Sequence, residues 1–156
     1  MLVQLVAFIR YAAGGAGLYL SLSYLHSNVT EAVAIASVSA VGMVGVLSFV
    51  SHVLLHTQDA KRIGFSAKNV DFQFEVGFAN LAFGVVAIMS YFLNWGLHAN
   101  TALLLAYAFY LFQAGILHTA KSLFGKKIDM VHLLRGGIIT FVYSGTMFYI
   151  AFQAIK

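Results

Sequence analysis

The chain of 156 residues is 61% hydrophobic and only 9% charged, whereas a soluble domain is about half apolar and a quarter charged. This composition excludes a soluble globular domain, and it excludes intrinsic disorder, which needs low hydrophobicity and high charge. The net charge of +4 does not indicate nucleic-acid binding, because basic residues in so apolar a chain usually set membrane topology. The absence of cysteine excludes disulfides, thiolate metal sites and iron–sulfur clusters.

Apolar stretches long enough to cross a bilayer occur five times along the chain. A membrane-spanning helix needs roughly 20 mostly apolar residues. We therefore predict an all-α integral membrane protein, a helical bundle that forms a single transmembrane domain over residues 1–156. The five expected spans are 2–25, 32–55, 72–95, 101–120 and 131–155.

The charges of the connecting segments predict an orientation. Residues 26–31 and 96–100 contain no lysine or arginine. Basic residues occur instead in 56–71 and 119–130, as Lys61, Arg62 and Lys68 and as Lys121, Lys126 and Lys127. Because positive loops stay in the cytoplasm, we expect a multi-pass protein of the cell inner (plasma) membrane with a cytoplasmic N-terminus. Its C-terminal Lys156 is then on the opposite side.

Small residues recur on four of the spans and predict close helix packing. The residues concerned are Gly14, Gly15, Ala16 and Gly17 in the first span, Ser37, Gly42, Gly45 and Ser48 in the second, Gly77 and Gly84 in the third, and Gly136, Gly137 and Gly145 in the fifth.

Ionisable side chains gather at the expected cytoplasmic end of the bundle. Such groups are costly within a membrane, and by default they indicate function. We expect a compact site there, in which His52, Glu75 and His118 approach contact distance or share one ion. The candidate metal ligands are His52, His56, Glu75, His118 and His132. The residues expected to orient these ligands or to form ion pairs are Gln73, Arg10 and Arg135.

The spacing of His52 and His56 suggests the chemistry of such a site. At i and i+4 they would share one helical face with Gly45 and Ser48, and two imidazoles at this spacing suit one metal ion. Imidazoles with a carboxylate and no thiolate suit Zn, Fe, Cu or Mn. Haem held axially by two histidines is a variant. Alternatively, residues within a turn of a helix end reach headgroups or water, which applies to His56 and His132.

The region from residue 45 to 90 resembles a family of small bacterial and archaeal membrane proteins of unknown function. Its members carry a histidine, then Ala-x-x-Ile-Gly-aromatic, then Ser-Pro-Phe-Gln-x-Glu-Val-Gly-Phe-Ala. The matching segments here run from His52 to Phe65 and from Phe72 to Ala79. The family also carries a later Gly-His, to which Gly115 and His118 are the nearest equivalents here. The chain is also distantly similar to the DoxX-like four-helix membrane proteins.

This resemblance implies a polar site at His52, Gln73, Glu75 and His118, without naming its chemistry. The chain departs from the family pattern in two places. Val70-Asp71 replaces Ser-Pro, and Thr57 stands where an acidic residue often follows the histidine. His56 is not part of the family signature.

Three kinds of function remain open from the residues. One is a metal-binding or redox membrane protein, with Gln73 orienting a ligand. Another is a small proton-coupled carrier or ligand-binding protein, in which His52 and Glu75 relay a proton and Arg10 or Arg135 holds an anion. The last is an accessory subunit of a larger membrane complex, in which the polar cluster is structural. The expected partners are the lipid bilayer and either other membrane subunits or a second copy of the chain, and no nucleic acid.

Overall fold

The described residues fold into a bundle of helices. The computed structural model describes residues 1–63, 70–124 and 130–156, and all regular structure in these ranges is helical. Five helices are long and apolar enough to cross a membrane, which confirms the predicted fold class. They are α1 (Leu2–Tyr24), α2 (Val29–Leu54), α4 (Val70–Phe92), α5 (Leu97–Phe124) and α6 (Met130–Gln153), and a short helix α3 (His56–Ile63) follows α2.

Local side-chain and backbone chemistry shifts several helix ends from their predicted positions. Helix α2 begins at Val29, three residues earlier than predicted, because the Asn28 side chain accepts a hydrogen bond from the Glu31 amide at 3.1 Å and caps it. Helix α4 ends at Phe92, before a turn in which Asn94 and Gly96 have φ angles of 53° and 88°. Glycine adopts such angles without steric cost. Helix α5 follows this turn and extends beyond the predicted residues 101–120 at both ends.

The segment after α2 differs from the prediction. Residues 56–63, expected in a loop, form helix α3, and Leu55 between the two helices has non-helical angles (φ −113°, ψ 24°). The expectation that His52 and His56 share one face of a continuous helix is therefore wrong. Lys68, Lys126 and Lys127, on which the expected orientation partly depends, lie outside the described residues.

Helix α2 is the centre of the bundle. Its most apolar window is 56% buried, against 22–28% for the other four spans, and it contacts all four of them. The bundle surface is largely apolar and includes exposed aromatic rings such as Phe8, Phe92 and Phe124. Many of the aromatic side chains therefore face lipid, as is usual for membrane proteins.

Two of the predicted glycine contacts set the distance between α2 and α4. A Cβ added at Gly45 would lie 2.5 Å from the Asn80 carbonyl oxygen, and one added at Gly84 would lie 2.8 Å from the Val46 nitrogen. The two backbones can approach this closely only because neither residue has a side chain. Gly15 and Gly145 differ, because nothing lies within 4 Å of an added Cβ there.

Three segments within the spans are π-helical, at Ser37–Met43, Val50–Leu54 and Leu133–Ile138. Such wide turns shift the helical phase and are frequent at functional sites. The second and third lie at the end of the bundle that carries Lys61, Arg62 and Lys121, which we call the basic end. The segment at this end of α2 contains His52, and the one in α6 contains Arg135.

Candidate functional site

A buried carboxylate joins two basic side chains at the basic end. Asp59 on α3 is fully buried, its Oδ2 lies 2.7 Å from His52 Nδ1, and its Oδ1 accepts from Arg62 Nη2 at 2.6 Å and Nε at 3.0 Å. The side chains of His52 and Arg62 remain 17% and 18% exposed. We call these three residues the Asp59 cluster. After the turn at Leu55, α3 places Asp59 against the end of α2.

The Asp59 cluster keeps its carboxylate ionised. Burial raises the pKa of Asp59, but the hydrogen bonds and charges of His52 and Arg62 outweigh this and lower it to about 2. An ionised carboxylate 2.7 Å from His52 Nδ1 holds a proton on that nitrogen, because the carboxylate can only accept. In the neutral imidazole, the second ring nitrogen of His52, Nε2, is then an acceptor.

Sequence reasoning missed Asp59 as a site residue. It noted Thr57 where an acidic residue often follows the histidine, whereas Asp59, two residues further on, is the carboxylate that contacts His52. The i, i+3 spacing of Asp59 and Arg62 was a usable signal, since residues at this spacing are neighbours on a helix. The turn at Leu55 that brings the pair to His52 has no such signal.

Glu75 is not part of this cluster. Its side chain is exposed, and among the residues that the structure describes it has no hydrogen bond or ion pair. Gln73, one turn from the start of α4, donates from Nε2 to the His56 carbonyl oxygen at 3.1 Å. His56 donates from Nδ1 to the Val53 carbonyl at 3.1 Å and packs edge-on against Phe74. Gln73 and His56 therefore join α3 to α4.

The two remaining candidate histidines contact each other. His118 Nδ1 on α5 lies 3.1 Å from His132 Nε2 at the start of α6, and their ring centroids are 5.0 Å apart. Gly136 makes this approach possible, because a Cβ there would lie 2.9 Å from His118 Cβ. We call His118 and His132 the histidine pair.

The five predicted metal ligands thus fall into separate groups. His52 belongs to the Asp59 cluster, His118 and His132 form the histidine pair, and His56 and Glu75 lie apart from both. Within residues 1–63, 70–124 and 130–156, no group of three or more His, Asp or Glu side chains has the arrangement of a metal site.

A second polar group lies deeper in the bundle and includes Arg10. Arg10 Nη1 donates to Ser48 Oγ at 3.2 Å, and its guanidinium carbon lies 5.1 Å from the centre of the Tyr11 ring. Among the described residues Arg10 has no ion-pair partner, and it does not contact Glu75. Tyr107 donates to Asn80 Oδ1 at 2.6 Å, and Asn80 Nδ2 donates to the Tyr110 hydroxyl at 2.9 Å. Four helices contribute to this group.

Arg135, the last of the expected supporting residues, is exposed on α6. It lines an open, mostly apolar groove of about 440 Å³ together with Met130, Val131 and Leu134. Among the described residues it has no ion-pair partner. Its position at a helix end fits a side chain that reaches the interface.

The fold and the site together define a small polytopic helical membrane protein with a buried ionic cluster at one end. The chain matches a family of unknown function (DUF6790) over residues 2–130 and belongs to it. No curated protein and no solved structure matches the chain. The distant similarity to DoxX-like proteins stays a prediction.

Proposed function

We propose that the protein is a small proton-coupled carrier that takes up and releases a proton at His52 as it binds a small anion. The proposal includes the orientation expected from the basic loops, with the basic end of the bundle in the cytoplasm. The observation that carries it is the fully buried Asp59, which contacts both His52 and Arg62.

The Asp59 cluster has the parts that proton exchange requires. Histidine is the side chain that ordinarily titrates between pH 5 and 8, and a carboxylate on one ring nitrogen fixes the tautomer and leaves the other for exchange. His52 is partly exposed, at 17%, so protons can reach it from solution. Arg62 balances the charge of Asp59, so protonation of His52 adds a net positive charge that an anion can neutralise.

Polar groups for such an anion are present at the same end of the bundle. Arg10 lies eight residues after the start of α1, about 12 Å along the helix. No described carboxylate pairs with it. The buried hydroxyls of Ser51 and Thr119 have no hydrogen-bond partner among the described residues. An anion that moves together with a proton crosses as a neutral unit, which lowers the cost of charge in the membrane.

The test is proton movement driven by an added anion. Purified protein is reconstituted into vesicles that contain a pH-sensitive dye, and acetate, lactate, phosphate and sulfate are added outside in turn under a clamped membrane potential. We expect at least one anion to acidify the vesicle interior faster than in protein-free vesicles. His52→Ala should abolish the difference, whereas His26→Ala, an exposed histidine at the opposite end, should leave it unchanged.

The accessory-subunit alternative predicts a different result for the same variants. If the Asp59 cluster only stabilises the fold, no anion changes the internal pH with the wild-type protein, and His52→Ala alters stability alone. That outcome would contradict the carrier proposal.

A transition metal at the histidine pair is the second candidate function. Two imidazole nitrogens bound to one tetrahedral zinc ion at about 2.0–2.1 Å lie roughly 3.3 Å apart, and His118 Nδ1 and His132 Nε2 are 3.1 Å apart. The spacing therefore fits two ligands of one ion. Haem is not favoured, because the nitrogens of two axial ligands lie on opposite sides of the iron.

Elemental analysis and cobalt titration test the metal candidate directly. Protein purified in mild detergent should contain zinc or another first-row metal, and Co²⁺ added to the metal-depleted protein should give visible absorption that His118→Ala removes. Equal metal contents in the wild type, His118→Ala and the control His98→Ala would exclude the histidine pair as a metal site.

A further inference from the structure

The Asn80 side chain has a fixed orientation in the middle of the bundle. Its Nδ2 lies 2.7 Å from the Val76 carbonyl oxygen, which can only accept, so this atom is the amide nitrogen. Its Oδ1 must therefore accept, and it does so from the Tyr107 hydroxyl at 2.6 Å. The second proton on Nδ2 goes to the hydroxyl oxygen of Tyr110 at 2.9 Å.

The three side chains form a series with one direction. Tyr107 donates to Asn80, and Asn80 donates to Tyr110. We call Tyr107, Asn80 and Tyr110 the donor chain.

The direction of the donor chain leaves one proton at its end. The Tyr110 oxygen accepts from Asn80, and the Tyr110 hydroxyl proton has no acceptor among the described residues. Tyr110 lies 13 residues from the start of α5 at Leu97 and 14 from its end at Phe124, about 20 Å from either end. It is therefore near the middle of the bilayer, where water does not satisfy polar groups and an unpaired donor is costly.

The surroundings of Tyr110 indicate what could accept this proton. The Tyr110 ring is half-buried and packs against Tyr107 and Phe83, with centroids 5.7 and 5.9 Å away. The surface beside the hydroxyl is therefore aromatic and apolar. Hydrogen bonds in series polarise one another, so the bonds of Tyr107 and Asn80 make the Tyr110 hydroxyl a stronger donor. A charged acceptor would be costly at this depth, which favours an uncharged one.

We propose that Tyr110 is the binding residue for the carbonyl oxygen of a lipophilic molecule that reaches it through the bilayer. The hydroxyl donates to the carbonyl, and the rings of Tyr110 and Phe83 contact the apolar body of the ligand. This site shares no residue with the Asp59 cluster, the histidine pair or the residues proposed to hold the anion, so it does not depend on the proposed carrier function.

The experiment uses a simple lipophilic ketone as the probe. Benzophenone labelled with ¹³C at its carbonyl is added to the full-length protein in vesicles of ether-linked lipids, which contain no carbonyl of their own. We expect saturable binding and a change in the ¹³C chemical shift that reports a hydrogen bond to the carbonyl. Tyr110→Phe removes only the hydroxyl, and it should weaken binding about tenfold and remove the shift.

Two further variants separate a bound carbonyl from general effects. Tyr149→Phe removes the hydroxyl of an exposed tyrosine on α6 and should change nothing. Tyr107→Phe removes the donor to Asn80 Oδ1, and it should weaken binding about twofold and reduce the ¹³C shift without removing it. If Tyr110→Phe does not fold, the shift in the wild type and its reduction in Tyr107→Phe still decide the matter.

Ester-linked lipids identify the source of the carbonyl. Weaker probe binding in ester-linked than in ether-linked vesicles would mean that a lipid ester carbonyl competes for Tyr110, and equal binding would assign the site to a free lipophilic molecule. Either result supports a carbonyl site. Non-saturable uptake of the probe, or equal affinity of the wild type and Tyr110→Phe, would overturn the proposal.

Discussion

Replacing Asp59 with asparagine removes the charge at the centre of the Asp59 cluster and keeps the side-chain volume. Two basic groups, His52 and Arg62, then lose their ionic partner at a site where Asp59 itself is fully buried. Removing one partner of a fully buried ion pair costs about 3–5 kcal/mol. The side chains of His52 and Arg62 are 17% and 18% exposed, so water can solvate part of their charge. The loss of stability should therefore be smaller than for a fully buried pair.

The pKa of Asp59 gives an independent magnitude. It is lowered from 3.8 to about 2, and one pKa unit corresponds to about 1.36 kcal/mol, so ionised Asp59 contributes about 2 kcal/mol to folding at neutral pH. Because the folded-state pKa is the lower one, this contribution is complete at pH values well above 3.8 and disappears as the pH falls through about 2. Asp59→Asn should therefore be about 2 kcal/mol less stable at pH 7.

Reversible unfolding in mixed micelles measures this difference. The free energies of unfolding of the wild type and Asp59→Asn should differ at pH 7 and converge as the pH approaches 2. Glu75→Gln is the matched control, because Glu75 is an exposed carboxylate without a described partner, and it should change stability by less than about 0.5 kcal/mol. A wild-type stability equal to that of Asp59→Asn at pH 7, or a gap that persists to pH 2, would refute the reasoning.

Two further predictions concern packing and topology. Gly45→Ala should destabilise the protein by about 1–3 kcal/mol, because the new Cβ would lie 2.5 Å from the Asn80 carbonyl oxygen, whereas Gly145→Ala has nothing within 4 Å and should be tolerated. Thermal unfolding of both variants in one detergent measures the difference, and equal stabilities would contradict the close approach of α2 and α4. A reporter active only in the cytoplasm and fused after Lys156 should give no signal. A strong signal would mean that the orientation is reversed or that one of the five helices does not span the membrane.

The number and type of the helices could be predicted from the sequence because the bilayer sets both. A span needs a minimum apolar length. In lipid the backbone N–H and C=O groups of a span must bond to each other, which only a helix or a closed β-barrel achieves. The glycine contacts at Gly45 and Gly84 were predictable for a similar reason, since small residues mark close backbone approach. Helix ends were less predictable, because the cap at Asn28 and the turn at Asn94 and Gly96 depend on local hydrogen bonds and backbone angles.

The sequence predicts how far along the bundle each site residue lies, but not which side chains contact each other. Counting residues from a helix end gives the depth of a side chain, so the sequence correctly predicts that His52, His118 and His132 lie at one end of the bundle. Which side chains face each other depends on the rotation of each helix, and a π-helical turn or a break changes that rotation. The π-helical segment Val50–Leu54 and the turn at Leu55 separate His52 from His56 and bring Asp59 to His52. Rotating a helix about its axis moves no residue across the membrane interface, so the hydropathy pattern does not report the rotation. From the sequence alone, the exposed Glu75 and the buried Asp59 were therefore equally plausible partners of His52.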